Sequence, residues 1–484
     1  MNKLVKNYIL TLVYELIAVI VPLFTAPYLT RTLHASNFGI YSVVYSTLSL
    51  IQSISLMGLY TYGSRQTAYF REDKAALSSL FRELMILRLI CGIIGTCIFF
   101  AYGYAIGYGI YFVGFFAYYL ANVFDIGWVF AGNENMFPCV AKNIFAKLIT
   151  LVGTFLFVKT ENDVLIYILV VSLPMLISNI SIMPLLSKYI GKGKAKFANV
   201  PKHLLASFSL CLPYIVSQIY LQVDKIMIER LSESTSQVSY YDQAEKIVLI
   251  PLSIITSLSA VIMPRIANEY KKDGKKEIEK HLVLVGKYSV CISFPMMFGM
   301  IALSKYFIPW YLGPDYNMSS IIIMILSPMI VFNSLSSISG QQYFMATNQI
   351  GVMLRSSIIA AVSNVILNVL LIPPMGCVGA AVATLVANLI VVIVQYIEMC
   401  KQIHFKEVFT AGIRYFMCSL IMFIILMLFT KALYLESTAS TTIIQIAVGI
   451  VVYVAILIIF KDELYRLILG IIKKNNSRKS NGEI

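Results

Sequence analysis

The stretch 441–460, TTIIQIAVGIVVYVAILIIF, holds twenty residues without one charged side chain. About 20 consecutive apolar residues in a helix cross the hydrocarbon core of a bilayer, which is about 30 Å thick. Soluble globular proteins have about 25 % charged residues, whereas this chain of 484 residues has 13 %. We therefore predict a transmembrane helix at 441–460 and a membrane protein as a whole.

Comparable apolar stretches recur along the whole chain and are separated by short loops. A reading in windows of about 19 residues predicts about fourteen transmembrane helices. They lie at 7–30, 38–60, 83–102, 108–130, 140–158, 164–187, 204–229, 240–263, 284–305, 318–345, 354–373, 377–400, 412–430 and 441–460. At 31–37 and 373–376 the connections are so short that one long helix would also fit. The stretches lack the alternation of a membrane β-barrel, so the predicted fold class is an all-α polytopic membrane protein.

The Lys and Arg residues are distributed unevenly between the predicted loops. Cytoplasmic loops carry an excess of these residues. With a cytoplasmic N-terminus, most of the 38 cations fall on the cytoplasmic side, and the opposite loops keep Arg31, Lys159, Arg230, Lys305 and Lys431. We therefore predict an even number of helices, both termini in the cytoplasm and a place in the inner (cytoplasmic) membrane. The net charge of +14 follows from this distribution, and nucleic-acid binding is not expected.

A shift of 200 residues aligns the first half of the chain with the second. It brings together Tyr14 and Tyr214, Tyr41 and Tyr241, Arg65 and Arg265, Cys91 and Cys291, and the basic loops 61–82 and 261–282. Halves with an even number of helices share one topology and are related by an axis along the membrane normal. We predict two six-helix bundles at 1–203 and 204–400, two additional helices at 401–460 and a basic cytoplasmic tail at 461–484.

Charged side chains inside the predicted spans are the candidate functional residues. A charge at mid-helix costs about 2.5–3.5 kcal/mol, so each one needs a partner or a role. A cavity between the bundles predicts substrate binding by Lys246, Lys225, Arg31, Arg88 and Lys147, and ion coupling by Glu15, Asp224 and Glu245. Structural alternatives stay open. Arg88 would snorkel towards the interface, Asp242 would lie at the outer interface, and Asp125 would pair with Lys147.

Two parts of the sequence resemble the polysaccharide transporter family. The first is PYLTRTLHASNFGIY at 27–41, which matches a pattern Y-L-x-R-x-L followed by F-G-x-Y. The second comprises QVDKIMI at 222–228, VSYYDQAEK at 238–246 and IMPR at 262–265. This family belongs to the multidrug/oligosaccharidyl-lipid/polysaccharide exporter superfamily, so the resemblance implies two six-helix bundles, often with two added helices.

The resemblance also implies a function and a site. It implies a flippase for undecaprenyl-diphosphate-linked oligosaccharides. In the similar peptidoglycan-precursor flippases, a cation follows an acid in the eighth helix and lines the cavity. This chain has Glu245 and Lys246 there, with Lys where Arg is expected. Those relatives have several arginines in the first helix, whereas this chain has only Arg31 near it, which argues against that branch.

The predicted function is therefore the transfer of an O-antigen, capsule or exopolysaccharide repeat unit across the membrane by alternating access. A gradient of H⁺ or Na⁺ would drive it, and no covalent bond would break, so neither an enzyme nor a cofactor or metal site is expected. The expected partners are membrane lipids, a polysaccharide polymerase and a chain-length regulator. One alternative is a drug or small-molecule cation antiporter of the same fold. The other is a membrane glycan polymerase, which would need a large outer loop or a carboxylate-rich site.

Overall fold

The computed structural model describes residues 3–56, 58–252 and 275–460, and all regular secondary structure in these ranges is helical. The first part contains α1 (Lys3–Ser55), α2 (Leu59–Phe70), α3 (Lys74–Ala105), α4 (Gly109–Val123), α5 (Gly127–Gly132), α6 (Phe137–Phe157), α7 (Val164–Ser181), α8 (Val200–Ser232) and α9 (235–252). The second contains α10 (Lys275–Tyr311), α11 (Asn317–Leu326), α12 (Met329–Ser336), α13 (Ile350–Met375), α14 (Cys377–Cys400), α15 (Lys406–Ala432) and α16 (Ala439–Ile459). Short 3-10 helices cover Met183–Lys188, Phe197–Asn199 and Pro314–Tyr316, and a π-helix covers Ser337–Phe344.

The two shortest predicted connections are breaks between helices. Inside α1, His34 leaves the helical conformation with φ 57° and ψ 170°. A positive φ is uncommon for a residue with a side chain and marks a sharp change of direction. Between α13 and α14, Gly376 has φ 58°, and a Cβ atom there would lie 1.9 Å from Gln237 Oε1. Only glycine fits this second turn.

The helices confirm the all-α polytopic fold class, while the number fourteen stays a prediction. In the described ranges, ten helices are long and apolar enough to cross a membrane, or up to twelve if two bent helix pairs each form one span. α1 is one of these ten helices although it covers two predicted spans. Part of the predicted span 240–263 and the motif at 262–265 lie outside the described residues.

The helices turn large apolar side chains outwards. In α3, Ile93, Ile94 and Ile98 are each more than half exposed, and Ile450 and Val451 are equally exposed in α16. Such faces would be unstable in water and are stable when lipid tails cover them. The exposed faces therefore agree with a bilayer as the solvent of these helices.

The chain separates into two compact units. Unit 1 comprises Met1–Asp242 and Ala361–Ala383, and unit 2 comprises Gln243–Ala360 and Thr384–Ile484. Unit 1 packs α4 on α7, α7 on α6 and α1 on α8, and unit 2 packs α11, α12, α15 and α16 around α10. The bundle boundaries at 203 and 400 stay a prediction, and the tail 461–484 lies outside the described residues.

A glycine of the F-G-x-Y pattern allows two helices of unit 1 to meet. A Cβ atom on Gly39 would lie 1.9 Å from the carbonyl oxygen of Thr235. The second half of α1 therefore contacts the first residue of α9 through its backbone, and any side chain at position 39 would force the two helices apart.

Candidate substrate and ion site

Two consecutive residues of α8, Asp224 and Lys225, point to different partners within unit 1. Lys225 Nζ lies 2.9 Å from Asp242 Oδ1 of α9, and the exposed fractions of these side chains are 8 % and 4 %. Asp242 Oδ2 accepts a hydrogen bond of 2.8 Å from the hydroxyl of Ser42 in α1. Asp242 is thus part of a buried ion pair, and the alternative that it lies at the outer interface stays open.

The carboxylate of Asp224 is held by two neutral donors. The hydroxyl of Tyr241 donates to Asp224 Oδ2 at 2.9 Å, and Asn368 Nδ2 donates to Asp224 Oδ1 at 2.5 Å. Asn368 Nδ2 also lies 3.2 Å from Asn364 Oδ1, one turn earlier on α13. In the described part of the chain, Asn368 Oδ1 is buried without a hydrogen-bond partner. An acceptor oxygen is thus present beside a buried carboxylate.

This polar cluster, comprising Ser42, Asp224, Lys225, Tyr241, Asp242, Asn364 and Asn368, lies well inside the apolar helices. Ser42, Asp224, Asp242 and Asn368 are each about two helical turns from the nearest chain turn, at His34, at 233–234 or at Gly376. At 1.5 Å per residue, eight or nine residues correspond to about 12–13.5 Å along the helix. The distance from water explains why each of these polar groups needs a partner from another helix.

The predicted pair Glu245 and Lys246 lies further along α9. Glu245 is buried, whereas the side chain of Lys246 is exposed. Successive helical residues point in different directions, so one of the two faces the interior and the other faces outwards. The side chain of Lys246 therefore lies on the exposed side of α9, whereas that of Lys225 is buried.

Arg88 has a structural environment. It is 3 % exposed, and its guanidinium donates to Val123 O at 3.0 Å and to Asn122 O. These carbonyls end α4, where the backbone leaves acceptors without helical donors. Arg88 thus caps α4 from α3, and its role in substrate binding stays a prediction.

The expected pairing of Asp125 with Lys147 is wrong. Asp125 Oδ1 lies 2.6 Å from Lys142 Nζ, and Lys142 also donates to Asn179 Oδ1. Lys142 lies near the start of the predicted span 140–158 and is buried in α6, with a side chain 3 % exposed. The sequence does not distinguish a charged residue in a loop from a buried one when the residue lies within two turns of a helix end.

The other predicted site residues lie apart from the polar cluster in sequence and are more accessible. Glu15 and Arg31 are exposed on α1, and Lys147 is half-buried on α6. Arg31 Nη1 donates to Pro27 O at 3.1 Å, which stabilises the end of the first predicted span. Their assigned roles stay predictions.

Sequence reasoning missed the uncharged members of the polar cluster. Ser42, Tyr241, Asn364 and Asn368 carry no charge, so a search for intramembrane charges does not find them. Two signals were available. Asn364 and Asn368 are four residues apart and share one face of an apolar helix, and Ser42 aligns with Asp242 under the 200-residue shift.

Comparison with protein families gives two matches. The family described as "Polysaccharide biosynthesis protein" matches residues 4–270, more than half of the chain. A second family, described as MatE, matches residues 209–370.

Several curated proteins are similar to the chain. A protein of Escherichia coli strain K12 named as an O-antigen transporter is 25 % identical over 339 residues, which cover 68 % of this chain and 80 % of that protein. A Shigella dysenteriae protein of the same name is 22 % identical over 404 residues, covering 80 % and 98 %. A flippase of low-salt glycan biosynthesis from Haloferax volcanii, Agl15, is 28 % identical over 262 residues, about half of each chain.

Solved structures share the fold. The lipid II flippase MurJ in an inward closed conformation superimposes with a TM-score of 0.71 at 20 % identity, covering 95 % of this chain and 100 % of MurJ. An inward-facing multidrug resistance transporter of the MATE family gives a TM-score of 0.65 at 14 % identity, covering 80 % and 94 %. At these identities the likeness establishes the fold alone.

Proposed function

Because the chain belongs to the family of polysaccharide biosynthesis proteins, we propose that it is a flippase for lipid-linked glycans. Its substrate is an oligosaccharide repeat unit on undecaprenyl diphosphate, destined for O-antigen, capsule or exopolysaccharide. It carries this unit from the cytoplasmic to the outer leaflet. The names of the Escherichia coli O-antigen transporter and the Haloferax volcanii glycan flippase support this substrate class.

The observation that carries the proposal is the buried polar cluster on apolar helices. Ions are expensive in hydrocarbon, so intramembrane acids and cations with partners on several helices mark transport pathways more often than structural joints. Here α1, α8, α9 and α13 each supply a member. A structural joint would need one pair, whereas this cluster links four helices.

Asp224 is the coupling carboxylate in this proposal. In its ionised form it accepts hydrogen bonds from Tyr241 and Asn368. When it takes up a proton, it becomes a donor, and rotation of the Asn368 amide presents Oδ1 as the acceptor. Both protonation states therefore keep their hydrogen bonds. The oxygens of Asp224 and Asn368 would also suit Na⁺, so both gradients need testing.

In this proposal, Lys246 and Lys225 bind the diphosphate of the substrate. Lys246, exposed on α9, makes the first contact with the anionic group. Lys225 is held by Asp242 and becomes available only when that ion pair opens. Asp242 also accepts the hydrogen bond of Ser42 through its other oxygen, so this carboxylate connects α8 and α1 to α9. Each ammonium is a point charge that holds phosphate without fixing its orientation.

Deletion of the gene in its own host tests the function. Loss of the surface glycan, with lipid-linked repeat units accumulating on the cytoplasmic side of the membrane, is the expected result. Expression of the intact chain should restore the glycan. A normal amount of glycan in the deletion strain, without any accumulation of lipid-linked units, contradicts the proposal.

The second candidate is a cation antiporter, and the MatE match over 209–370 favours it. Such a protein exports small organic cations in exchange for H⁺ or Na⁺. The same deletion strain separates the two candidates. An antiporter predicts increased sensitivity to cationic dyes with unchanged glycan, whereas the flippase predicts the reverse.

A further inference from the structure

A short cationic segment, which we name the lysine segment (residues 191–196), lies between α7 and α8. Its sequence is GKGKAK, and every second residue is a lysine. Lys192, Lys194 and Lys196 are exposed, whereas the alternate residues are half-buried. The segment thus presents three exposed lysine side chains within five residues.

The backbone of the lysine segment is fixed to α3 by hydrogen bonds. Arg82 Nη2 donates to Gly191 O at 3.0 Å, and Arg82 Nη1 donates to Gly193 O. The amide of Gly191 donates to Ser78 Oγ at 2.7 Å. At the other end, the amide of Lys196 donates to Glu83 Oε1 at 2.9 Å. These bonds use backbone atoms of the segment and leave the side chains of Lys192, Lys194 and Lys196 exposed.

Gly193 makes this close contact possible. A Cβ atom there would lie 2.8 Å from Arg82 Nη1 and 2.9 Å from Ser78 Cβ. A larger residue would push the segment away from α3 and break both bonds to Arg82. The sequence therefore specifies a fixed segment here, although a loop rich in Gly and Lys alone would predict a flexible one.

The position along α3 puts the lysine segment at the depth of lipid headgroups. With 32 residues, α3 is about 48 Å long, which exceeds the hydrocarbon core by about 18 Å. The contacts at Ser78, Arg82 and Glu83 fall within the first three turns of α3, before the predicted span at 83–102 is under way. Phe197, directly after the segment, is 70 % exposed and suits the same interface.

We propose that the lysine segment is a binding site for the phosphate groups of anionic phospholipids in the cytoplasmic leaflet. Among the described residues, Lys192, Lys194 and Lys196 form no ion pair, so the charge of their ammonium groups is available to a ligand. The cytoplasmic leaflet is the anionic one, and basic segments next to a transmembrane helix bind it. Positive loops that only direct membrane insertion need no fixed backbone, whereas the backbone of this segment is held by four hydrogen bonds to side chains of α3.

Native mass spectrometry of the full-length protein tests this site. The probes are dioctanoyl-phosphatidylglycerol and dioctanoyl-phosphatidylcholine, which have the same chains and differ in headgroup charge. We expect the parent to bind phosphatidylglycerol more tightly than phosphatidylcholine. In the triple variant K192Q/K194Q/K196Q, the ratio of the two affinities should fall by about fivefold for each lysine that is replaced. An unchanged preference in the triple variant overturns the proposal.

A matched variant separates the site from total charge. K188Q/K202Q/K406Q also removes three exposed lysines from predicted cytoplasmic segments, and it should keep the preference. An equal loss in this variant overturns a specific site, because net charge then explains the binding. Arg82→Gln keeps all three lysines and frees both glycine carbonyls, so it should weaken the preference. If Arg82→Gln lowers the melting temperature, Ser78→Ala gives the milder test. The measurement needs no transport, so its failure leaves the proposed flippase function standing.

Discussion

The hydroxyl of Ser42 donates a 2.8 Å hydrogen bond to the carboxylate of Asp242, which stands 200 positions later in the chain. The same interval relates the two halves in the sequence repeat. Residues that are equivalent under a two-fold axis approach each other only close to that axis. The contact therefore supports an axis that passes between α1 and α9.

The two halves differ in charge at this axis. The repeat aligns Asp224 with Phe24, Lys225 with Thr25 and Asp242 with Ser42. All three charges come from the second half, and the first half supplies neutral or apolar residues. The aligned positions of the two halves therefore carry an asymmetric set of ionisable groups.

Breaking the Lys225–Asp242 pair should destabilise the protein. Lys225→Met leaves Asp242 as a buried charge, and we expect the free energy of unfolding to fall by about 3–5 kcal/mol. The double variant K225M/D242N should recover most of it. Thermal unfolding of the purified protein measures the effect. Arg71→Met is the control, because its ion pair with Glu134 is exposed and worth about 0–1 kcal/mol. Equal losses in Lys225→Met and Arg71→Met contradict a buried pair.

Lys142 and Lys147 should differ in their contribution to stability although both lie on α6. Lys142→Met leaves Asp125 without its cation and should lower stability by about 3–5 kcal/mol. Lys147→Met removes a half-buried lysine and should change stability by less than about 1 kcal/mol. The same unfolding assay compares them. A larger loss for Lys147→Met would restore the pairing of Asp125 expected from the sequence.

Asp224→Asn should abolish gradient-driven transport while binding of the lipid-linked substrate persists. The amide keeps the shape of the side chain and cannot take up a proton. Uptake of substrate into proteoliposomes, with and without an imposed pH or sodium gradient, measures the coupling. Glu15→Gln is expected to have the same effect, because Glu15 lies in the first helix of the first predicted bundle. Glu161→Gln, an exposed acid between α6 and α7, is the control. A gradient response equal to that of the parent in both variants removes these acids from coupling.

Lys246→Ala should block export of the glycan without reducing the amount of protein in the membrane. Lys246→Arg keeps the charge and should retain part of the activity. Surface glycan in the complemented deletion strain is the readout, with the protein level measured by immunoblot. Full activity in both variants would exclude Lys246 from the substrate site.

Reporter fusions test the orientation of the helices. Fusions at Lys192, Lys272 and Ser480 should report the cytoplasm, and fusions at Thr160, Tyr311 and Glu436 should report the outside. The excess of Lys and Arg in the first set of loops is the physical reason. Fusions at 160 and 192 on the same side would contradict the predicted helix between them.

The sequence by itself determined the fold class and the family. Apolar stretches long enough to span a bilayer leave few alternatives to helices, because backbone groups in lipid must bond within their own segment. The same patterns placed short connections at 31–37 and 373–376, where the structure breaks at His34 and Gly376, and they selected Asp224, Lys225 and Glu245 as charges inside the predicted spans. These properties are local, since they depend on residues that are neighbours in the chain.

Only the tertiary structure decided which side chains meet. Asp125 forms its ion pair with Lys142 although Lys147 is also near in sequence. Asp224 accepts a hydrogen bond from Asn368, which stands 144 positions later in the chain. Arg88 caps α4 because α3 passes beside the end of that helix. Partner choice depends on how each helix is rotated about its axis and on the depth at which each side chain lies. Neither quantity is fixed by a hydropathy pattern, because a long, uniformly apolar helix can turn any of its faces towards a neighbour.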